Sequence, residues 1–348
     1  MTNLSLKAFG WNDHFEDQLA PDSHENTIVV RVSAHHGTQV VVLGETGEFR
    51  VPVQSVEAAG KVAVGDWVLL KAEDHRAIKI LQRKTVISRK AAGEEVKSQI
   101  IAVNIDSVFI VSSCNEDFSL ARIERYLAMT MQTGAVPVVV LTKSDLNHNP
   151  DELVRQVEQL HPGLDVAVMD ARDPDQAGVL GKWCGPGQSV ALVGSSGVGK
   201  STLANALGAG DLATGGIREK DGKGRHTTTS RSLHLLPTGG VLVDNPGVRE
   251  FQLPDCEDGV IDLFDDVVTI IAECKFSDCK HAGEPGCAIR AAIDSGDLDE
   301  RRYTSYEKLN AEQARNAKTL AARRERERKT TRTIKSAVAK KRKHRDGS

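Results

Sequence analysis

Residues Gly194-Ser195-Ser196-Gly197-Val198-Gly199-Lys200-Ser201 read G-x-x-x-x-G-K-S, a spacing suited to holding phosphate. The glycines let successive backbone N–H groups turn inward around phosphate oxygens, and a helix starting at the end of the loop turns its positive end to the same anion. Lys200 is placed to reach the β- and γ-phosphates of a nucleoside triphosphate, and Ser201 to hold its magnesium. Thr202, next in line, belongs to the same set of contacts. Such a loop works only between a strand and a helix. The apolar run Ser189–Val193 and the helix-prone Thr202–Leu207 supply those flanks; otherwise the segment would be a glycine turn at a helix start.

A second motif, Thr142-Lys143-Ser144-Asp145, follows the β-branched run Val136–Leu141. A carboxylate at Asp145 can accept from the ring N–H and exocyclic amine of guanine, donors that adenine lacks, while the Lys143 stem packs over the base. Alone the tetrapeptide is a turn; beside a phosphate loop it selects GTP. A third, Asp244-Asn245-Pro246-Gly247, ends the strand-like Val241–Val243. Asp244 is placed to hold magnesium directly or through water, and the Gly247 N–H to meet the γ-phosphate, although the same residues make a good turn. The threonines at 227–229, Thr228 among them, offer hydroxyls to magnesium and the γ-phosphate from a glycine-rich loop at 214–230 that reads as mobile.

A fourth cluster is Cys274-x4-Cys279-x-His281-x5-Cys287. Three thiolates and an imidazole suit a tetrahedral zinc ion with no position left open, hence one structural zinc. Six cysteines in 348 residues do not suggest a disulfide framework, and Cys114, Cys184 and Cys256 read as ordinary residues.

These groups need a scaffold. Five short β-branched segments between Thr27 and Lys90 (Ile28–Val32, Gln39–Leu43, Glu48–Val53, Asp66–Leu70 and Ala77–Leu81), punctuated by glycines, predict a small β-barrel of the OB type. Such a barrel can bind oligonucleotides or serve only for packing; its few aromatic residues leave both open. The apolar run Ile100–Val111 predicts the first central strand of an α/β unit. It is followed by a helix over Ser119–Gln132, the strand Val136–Leu141, a helix over Pro150–Leu160, the strand Leu164–Val168 and the phosphate-loop strand. Strands alternating with helices predict a parallel, doubly wound sheet. Two strands follow, Ser232–Leu236 and Gly240–Val243, and the chain turns helical from Ile261. Leu298–Lys329 is helix-prone and charged, and Lys335–Arg345 is basic and reads as disordered. Before Thr27, Trp11 and Phe15 have i,i+4 spacing, consistent with a short docking helix or a disordered lead.

The net charge of −3 conceals an asymmetry: residues 312–348 carry 14 basic and 4 acidic side chains, leaving 31 basic and 44 acidic in the rest. An acidic body with a basic arm points to nucleic acid as a partner. No apolar run approaches the ~20 residues that span a bilayer, and Met1–Ala20 has no apolar core of a secretory signal, so a cytoplasmic protein with no membrane partner is expected.

The order of the motifs is distinctive. A conventional GTPase runs phosphate loop, threonine switch, D-x-x-G, then N-K-x-D; here the T-K-x-D comes about 50 residues before the phosphate loop. The chain resembles circularly permuted GTPases, and with a barrel before and a Cys/His cluster after, it resembles the ribosome small-subunit-dependent GTPase A family over roughly residues 28–310. Gly224-Arg225-His226-Thr227-Thr228-Thr229 and the continuation Val248-Arg249-Glu250-Phe251 are part of that likeness. Two positions depart from the family pattern. Asn245 stands where threonine or serine is usual, and Asp170, in Met169-Asp170-Ala171-Arg172, stands where the serine of a guanine-supporting S-A-K loop is expected.

The resemblance implies a multidomain protein: extension 1–26, OB-fold barrel 27–90, circularly permuted α/β GTPase domain 96–255, zinc-binding helical module 256–310 and basic tail 311–348. It implies a GTP hydrolase that binds the small ribosomal subunit and its rRNA as a monomer during late maturation, with hydrolysis triggering release. Val248 occupies the position of the water-orienting glutamine of many GTPases and cannot act as one, so hydrolysis is expected to be slow alone and stimulated by the subunit. His226 is the candidate for positioning water, with Lys200 and Thr228 on the phosphates. Two other classes compete: an ATP-using P-loop enzyme, which would not need Asp145, and an RNA-binding scaffold with a vestigial nucleotide site, against which Lys200, Ser201 and Asp244 argue.

Overall fold

The computed structural model describes residues 5–19, 26–90, 98–173, 175–210, 232–244 and 256–315. Near the N-terminus a 3-10 turn, Leu6–Phe9, precedes a short helix α1 (Asp13–Glu16). The Trp11 and Phe15 rings stack 5.7 Å apart, and Trp11 meets Trp67 edge-on at 4.9 Å. Of the two readings left open for this segment, the described part is a docked one.

The next strands are β1 (Thr27–His36), β2 (Gln39–Gly44), β3 (Gly47–Pro52), β4 (Trp67–Lys71) and β5 (Ala77–Ile80), with helix α2 (Val53–Glu57) after β3. Antiparallel ladders order them β5-β4-β1-β2-β3. Alternation sends Val30, Val32, Val40, Val42, Val68 and Leu70 into one core. On β1 the residue between two of these valines, Arg31, points the other way and is 1% exposed. Its guanidinium donates to the carbonyls of Phe9 and Asn104 and to Ser189 Oγ, and lies over the Trp67 ring. Burial pushes its pKa down to about 10, with Asp106 and Asp66 opposing that fall, so it stays charged at neutral pH.

The run Ile100–Val111 is two strands, not one. β6 (Val86–Lys90) pairs with β7 (Ser98–Val103), and β8 (Ser107–Ser113) enters the large sheet. The break falls at Asn104, whose φ of 58° is tolerated by few residues besides Asn and Gly. Its side chain accepts from Lys84 N at 2.8 Å and donates to the Gly65 carbonyl at 3.0 Å, which holds the turn.

The α/β part then follows the expected alternation: α3 (Leu120–Thr133), β9 (Val136–Thr142), α4 (Pro150–Glu158), β10 (Asp165–Val168), β11 (Ser189–Val193), α5 (Lys200–Ala206), β12 (Ser232–Leu235) and β13 (Val241–Asp244). The order β10-β9-β8-β11-β13 is parallel, with β12 added antiparallel and joined to β1 at Ala34 and Ser232. The sheet is therefore mixed, and strands β1–β5 extend it. Its continuous apolar strands are covered on both faces, as parallel strands require. Val108, Ile110, Val139 and Leu141 belong to the core containing Ile123 and Leu127 of α3; Phe109, Val111, Val138 and Val140 belong to that of Leu203 and Ala204 on α5.

Helices α6 (Glu257–Leu263) and α7 (Asp265–Ala272) precede the Cys/His cluster in the chain, α8 (Ala288–Ser295) follows it, and a last helix covers 300–315. This helix is clamped to α3. Arg301 pairs with the fully buried Glu124 at 3.0 Å, and Arg125 pairs with Glu312. The loop 214–230, the turn after Asp244 and the basic tail lie outside the described residues.

Candidate functional site

Strand β11 delivers the chain into the phosphate loop. Gly194 has φ 144°, and a Cβ there would lie 2.2 Å from the Val111 carbonyl, so a side chain would push β11 off β8. Gly199, at φ 98°, begins α5, and its Cα faces Thr142, whose Oγ1 would be 3.4 Å from an added Cβ. Lys200 Nζ donates to the carbonyls of Gly194 at 2.8 Å and Ser195 at 2.6 Å. The ammonium is thus folded over the loop it is meant to serve. Ser196 and Gly197 lie at the exposed tip, and Val198 is buried beneath it.

The T-K-x-D residues sit against this loop. Thr142 closes β9 and is fully buried; its hydroxyl donates to the Val198 carbonyl and lies 3.1 Å from that of Ser112. Lys143 adopts φ 55°, a left-handed conformation that turns the chain sharply into the short 3-10 turn Ser144–Leu146. Asp145 then lines a cavity of about 240 Å³ together with Thr142, Lys143, Asp170, Arg172 and Thr202. The loop after β10 is tied in by Met169 N to the Leu141 carbonyl at 2.9 Å and Ser144 N to the Met169 carbonyl at 3.3 Å. A carboxylate and a lysine stem thus line one recess with Gly199 and Thr202 at the end of the phosphate loop, a setting that suits a planar group with hydrogen-bond donors.

Asp244 ends β13, whose neighbour β11 leads into the phosphate loop; Val243 pairs with Ala191. The backbone therefore places Asp244 at the same edge of the sheet as the loop. His226, Thr228 and Gly247 lie outside the described residues.

Three groups here were given no role by the motifs. Tyr126, on α3, hydrogen-bonds the Ser195 side chain; burial raises its hydroxyl pKa and that bond opposes the rise. Arg172 contacts Asp145 at 2.8 Å and Asp170 at 2.8 Å; the hydrogen bond from Arg172 holds the Asp170 carboxyl below its ordinary range. Cys114 donates its N–H to the Thr142 carbonyl at 2.9 Å; burial, with the nearby Asp145 carboxylate, pushes its thiol up to about 11. Only Arg172 carried a sequence signal, its place in the segment aligned with the guanine-supporting loop.

In the C-terminal part Cys274, Cys279, His281 and Cys287 bring one donor atom each within 4.8 Å of the others. His281 Nδ1 is 3.6 Å from both Cys274 Sγ and Cys287 Sγ, which is the edge of a tetrahedron with Zn–S of about 2.3 Å and Zn–N of about 2.0–2.1 Å. Backbone N–H groups of Ala288 and Arg290 donate to the Cys274 and Cys287 sulfurs at 3.3 and 3.5 Å, as thiolate ligands require. The donor set fits one tetrahedral, thiolate-preferring ion.

Comparisons with known proteins give the chain's relatives. The model of the RsgA GTPase family matches residues 80–254. The chain is 48% identical over 343 residues to "Small ribosomal subunit biogenesis GTPase RsgA 2" of Vibrio parahaemolyticus, covering 98% of this chain and 95% of that one. It is 43% identical over 317 residues to "Small ribosomal subunit biogenesis GTPase RsgA" of Mesorhizobium japonicum, covering 90% and 91%. Among solved structures, YjeQ from Thermotoga maritima superposes with a TM-score of 0.60 at 24% identity over 83% of this chain and 99% of that one. A structure titled as YloQ, a circularly permuted GTPase, gives 0.60 at 22% over 86% and 99%. These two support the fold.

Proposed function

The chain belongs to the RsgA GTPase family and is a GTP hydrolase, and on that footing we propose that it works on the small ribosomal subunit in its late maturation, with hydrolysis coupled to release. The observation that carries the reading is the bond from Thr142 to Val198. It ties the segment proposed to read guanine to the phosphate loop across a permuted chain, which supports their acting together. Relatives named for small ribosomal subunit biogenesis, aligned over nearly the whole chain, point to the partner. An ATP-using enzyme or a scaffold with a vestigial site gives way to this reading.

The residues divide the work as follows. Asp145 accepts from the guanine N1–H and 2-amino group, and Lys143 and Ser144 shape the turn around the base. Backbone N–H groups from Gly194 to Thr202 surround the phosphates, and Lys200 leaves the Gly194 and Ser195 carbonyls for the β- and γ-phosphates. Magnesium, when bound with GTP, neutralises charge between those phosphates. Ser201, Asp244 and Thr228 are its proposed holders, and Gly247 offers its N–H to the γ-phosphate. His226 positions the attacking water, since Val248 cannot, and hydrolysis is slow until the subunit engages the protein.

The five-strand unit is read as an OB fold and the Cys/His cluster as a structural zinc site; Cys274, Cys279, His281 and Cys287 fill all four positions. The boundaries 1–26, 27–90, 96–255, 256–310 and 311–348 are kept as the proposed domains, with the helix 300–315 running through the last. The basic tail contacts rRNA phosphates, and the protein acts as a monomer in the cytoplasm. Among the described residues no helix is long and apolar enough to cross a membrane. Co-sedimentation with isolated small subunits tests the partner. Binding is expected with a non-hydrolysable GTP analogue and loss with GDP; equal recovery with either nucleotide, or none, would refute it.

A further inference from the structure

We propose that Arg172 is an internal rival of guanine for Asp145, so that the base gains its carboxylate only by displacing a guanidinium. The proposal rests on the reading of Asp145 as the guanine contact. Arg172 Nη2 lies 2.8 Å from Asp145 Oδ2, inside the cavity that the base would enter. The chemistry of the two donors is alike. Guanine offers N1–H and the 2-amino group on either side of one carbon, and a guanidinium offers the same planar N–C–N pair of donors. On Asp145 the guanidinium is met through Nη2 on Oδ2 alone, and a base entering the cavity must take the place of that group on this oxygen.

Arg172 also has somewhere to go. Its Nε lies 3.0 and 3.2 Å from the two Asp170 oxygens, and its Nη2 is 2.8 Å from Asp170 Oδ2. Released from Asp145, it keeps these bonds and is not left unpaired. Backbone bonds between the segments, Ser144 N to Met169 O and Met169 N to Leu141 O, hold the two carboxylates in place, so the choice is made by the side chain alone. The Arg172 side chain is 68% exposed, and exposed ion pairs are weak. The rivalry therefore reduces the fraction of receptive sites without blocking them, and apparent affinity falls by that fraction.

The consequence is kinetic. A contact that must break before the base binds slows association and leaves dissociation unchanged. Arg172→Ala is expected to raise the association rate of ribose-labelled fluorescent GDP by about two- to five-fold, the range of an exposed pair, with the same dissociation rate and a correspondingly lower Kd. Loss of a positive charge would by itself slow capture of a polyanion, so a rise cannot be a general charge effect. The ratio of mutant to wild-type association rates shrinks toward one as salt screens the pair. Asp170→Asn, which removes the alternative anchor, is expected to slow association below wild type.

Stopped-flow mixing of the full chain with that probe decides the matter. Equal or lower association rates for Arg172→Ala, or a faster dissociation rate, would overturn the proposal, the latter by making Arg172 a direct ligand of the nucleotide. If wild type and variant both ignore guanine nucleotides, the fault lies with the reading of Asp145 on which the proposal stands.

Discussion

The Thr142 hydroxyl donates to the carbonyl of Val198, a residue 56 positions later in the chain. One belongs to the turn that ends in Asp145, the other to the phosphate loop. A permuted chain must bring these segments together through the sheet, and here adjacent parallel strands do it: β9 beside β8, and β8 beside β11. Thr142→Val removes the hydroxyl and leaves the Val198 carbonyl without this donor. Binding of GTP and GDP is expected to weaken equally, by roughly five- to thirty-fold, in a fluorescence titration; unchanged affinity would show that the two motifs act separately.

Asp145→Asn replaces an acceptor by a group that also donates. GTP affinity is expected to fall by about a hundred-fold or more, since two hydrogen bonds to a charged group are lost. Xanthosine triphosphate, which presents a carbonyl where guanine has its amine, should gain. A variant that keeps its preference for GTP would place the base elsewhere.

Glu124 is fully buried on α3 and meets Arg301 of the last helix at 3.0 Å. Arg301→Ala leaves a buried carboxylate unpaired and is expected to destabilise the chain by about 3–5 kcal/mol. Adding Glu124→Gln should recover part of that loss. Additive single effects in thermal or denaturant unfolding would mean that the pair does not clamp this helix.

Cys287→Ser takes one thiolate from the Cys/His cluster. Metal analysis is expected to fall from one zinc per chain to well below one, and α8, whose first turn donates to the Cys287 sulfur through Arg290 N, should lose protection from hydrogen exchange. Unchanged zinc content would show that the four residues are not a ligand set.

His226→Ala is expected to remove most subunit-stimulated turnover while GTP binding survives. Stimulated turnover at the wild-type rate would remove His226 from the water-positioning role.

Much of the site is legible in the amino-acid sequence, and for a physical reason. The proposed phosphate and guanine contacts lie in short contiguous segments, so Gly194–Ser201 and Thr142–Asp145 carry their motifs in local spacing. The parallel strands β8, β9 and β11 announce themselves as apolar runs because both faces are covered. What cannot be read there depends on which distant groups meet. Nothing local marks Asn104 as the break in an apolar run; its side-chain bonds to Lys84 and Gly65 do that. Arg31 reads as a surface residue of a barrel strand until Phe9, Asn104 and Ser189 close around it. Tyr126 and Glu124 look like ordinary helix residues, though one touches the phosphate loop and the other the last helix.

The most direct test of the account is turnover of GTP by the purified chain, alone and with isolated small ribosomal subunits, with ATP as control. Slow hydrolysis alone and strong stimulation by the subunit, for GTP only, is the predicted result. Turnover unchanged by the subunit, or stimulated equally with ATP, would contradict it.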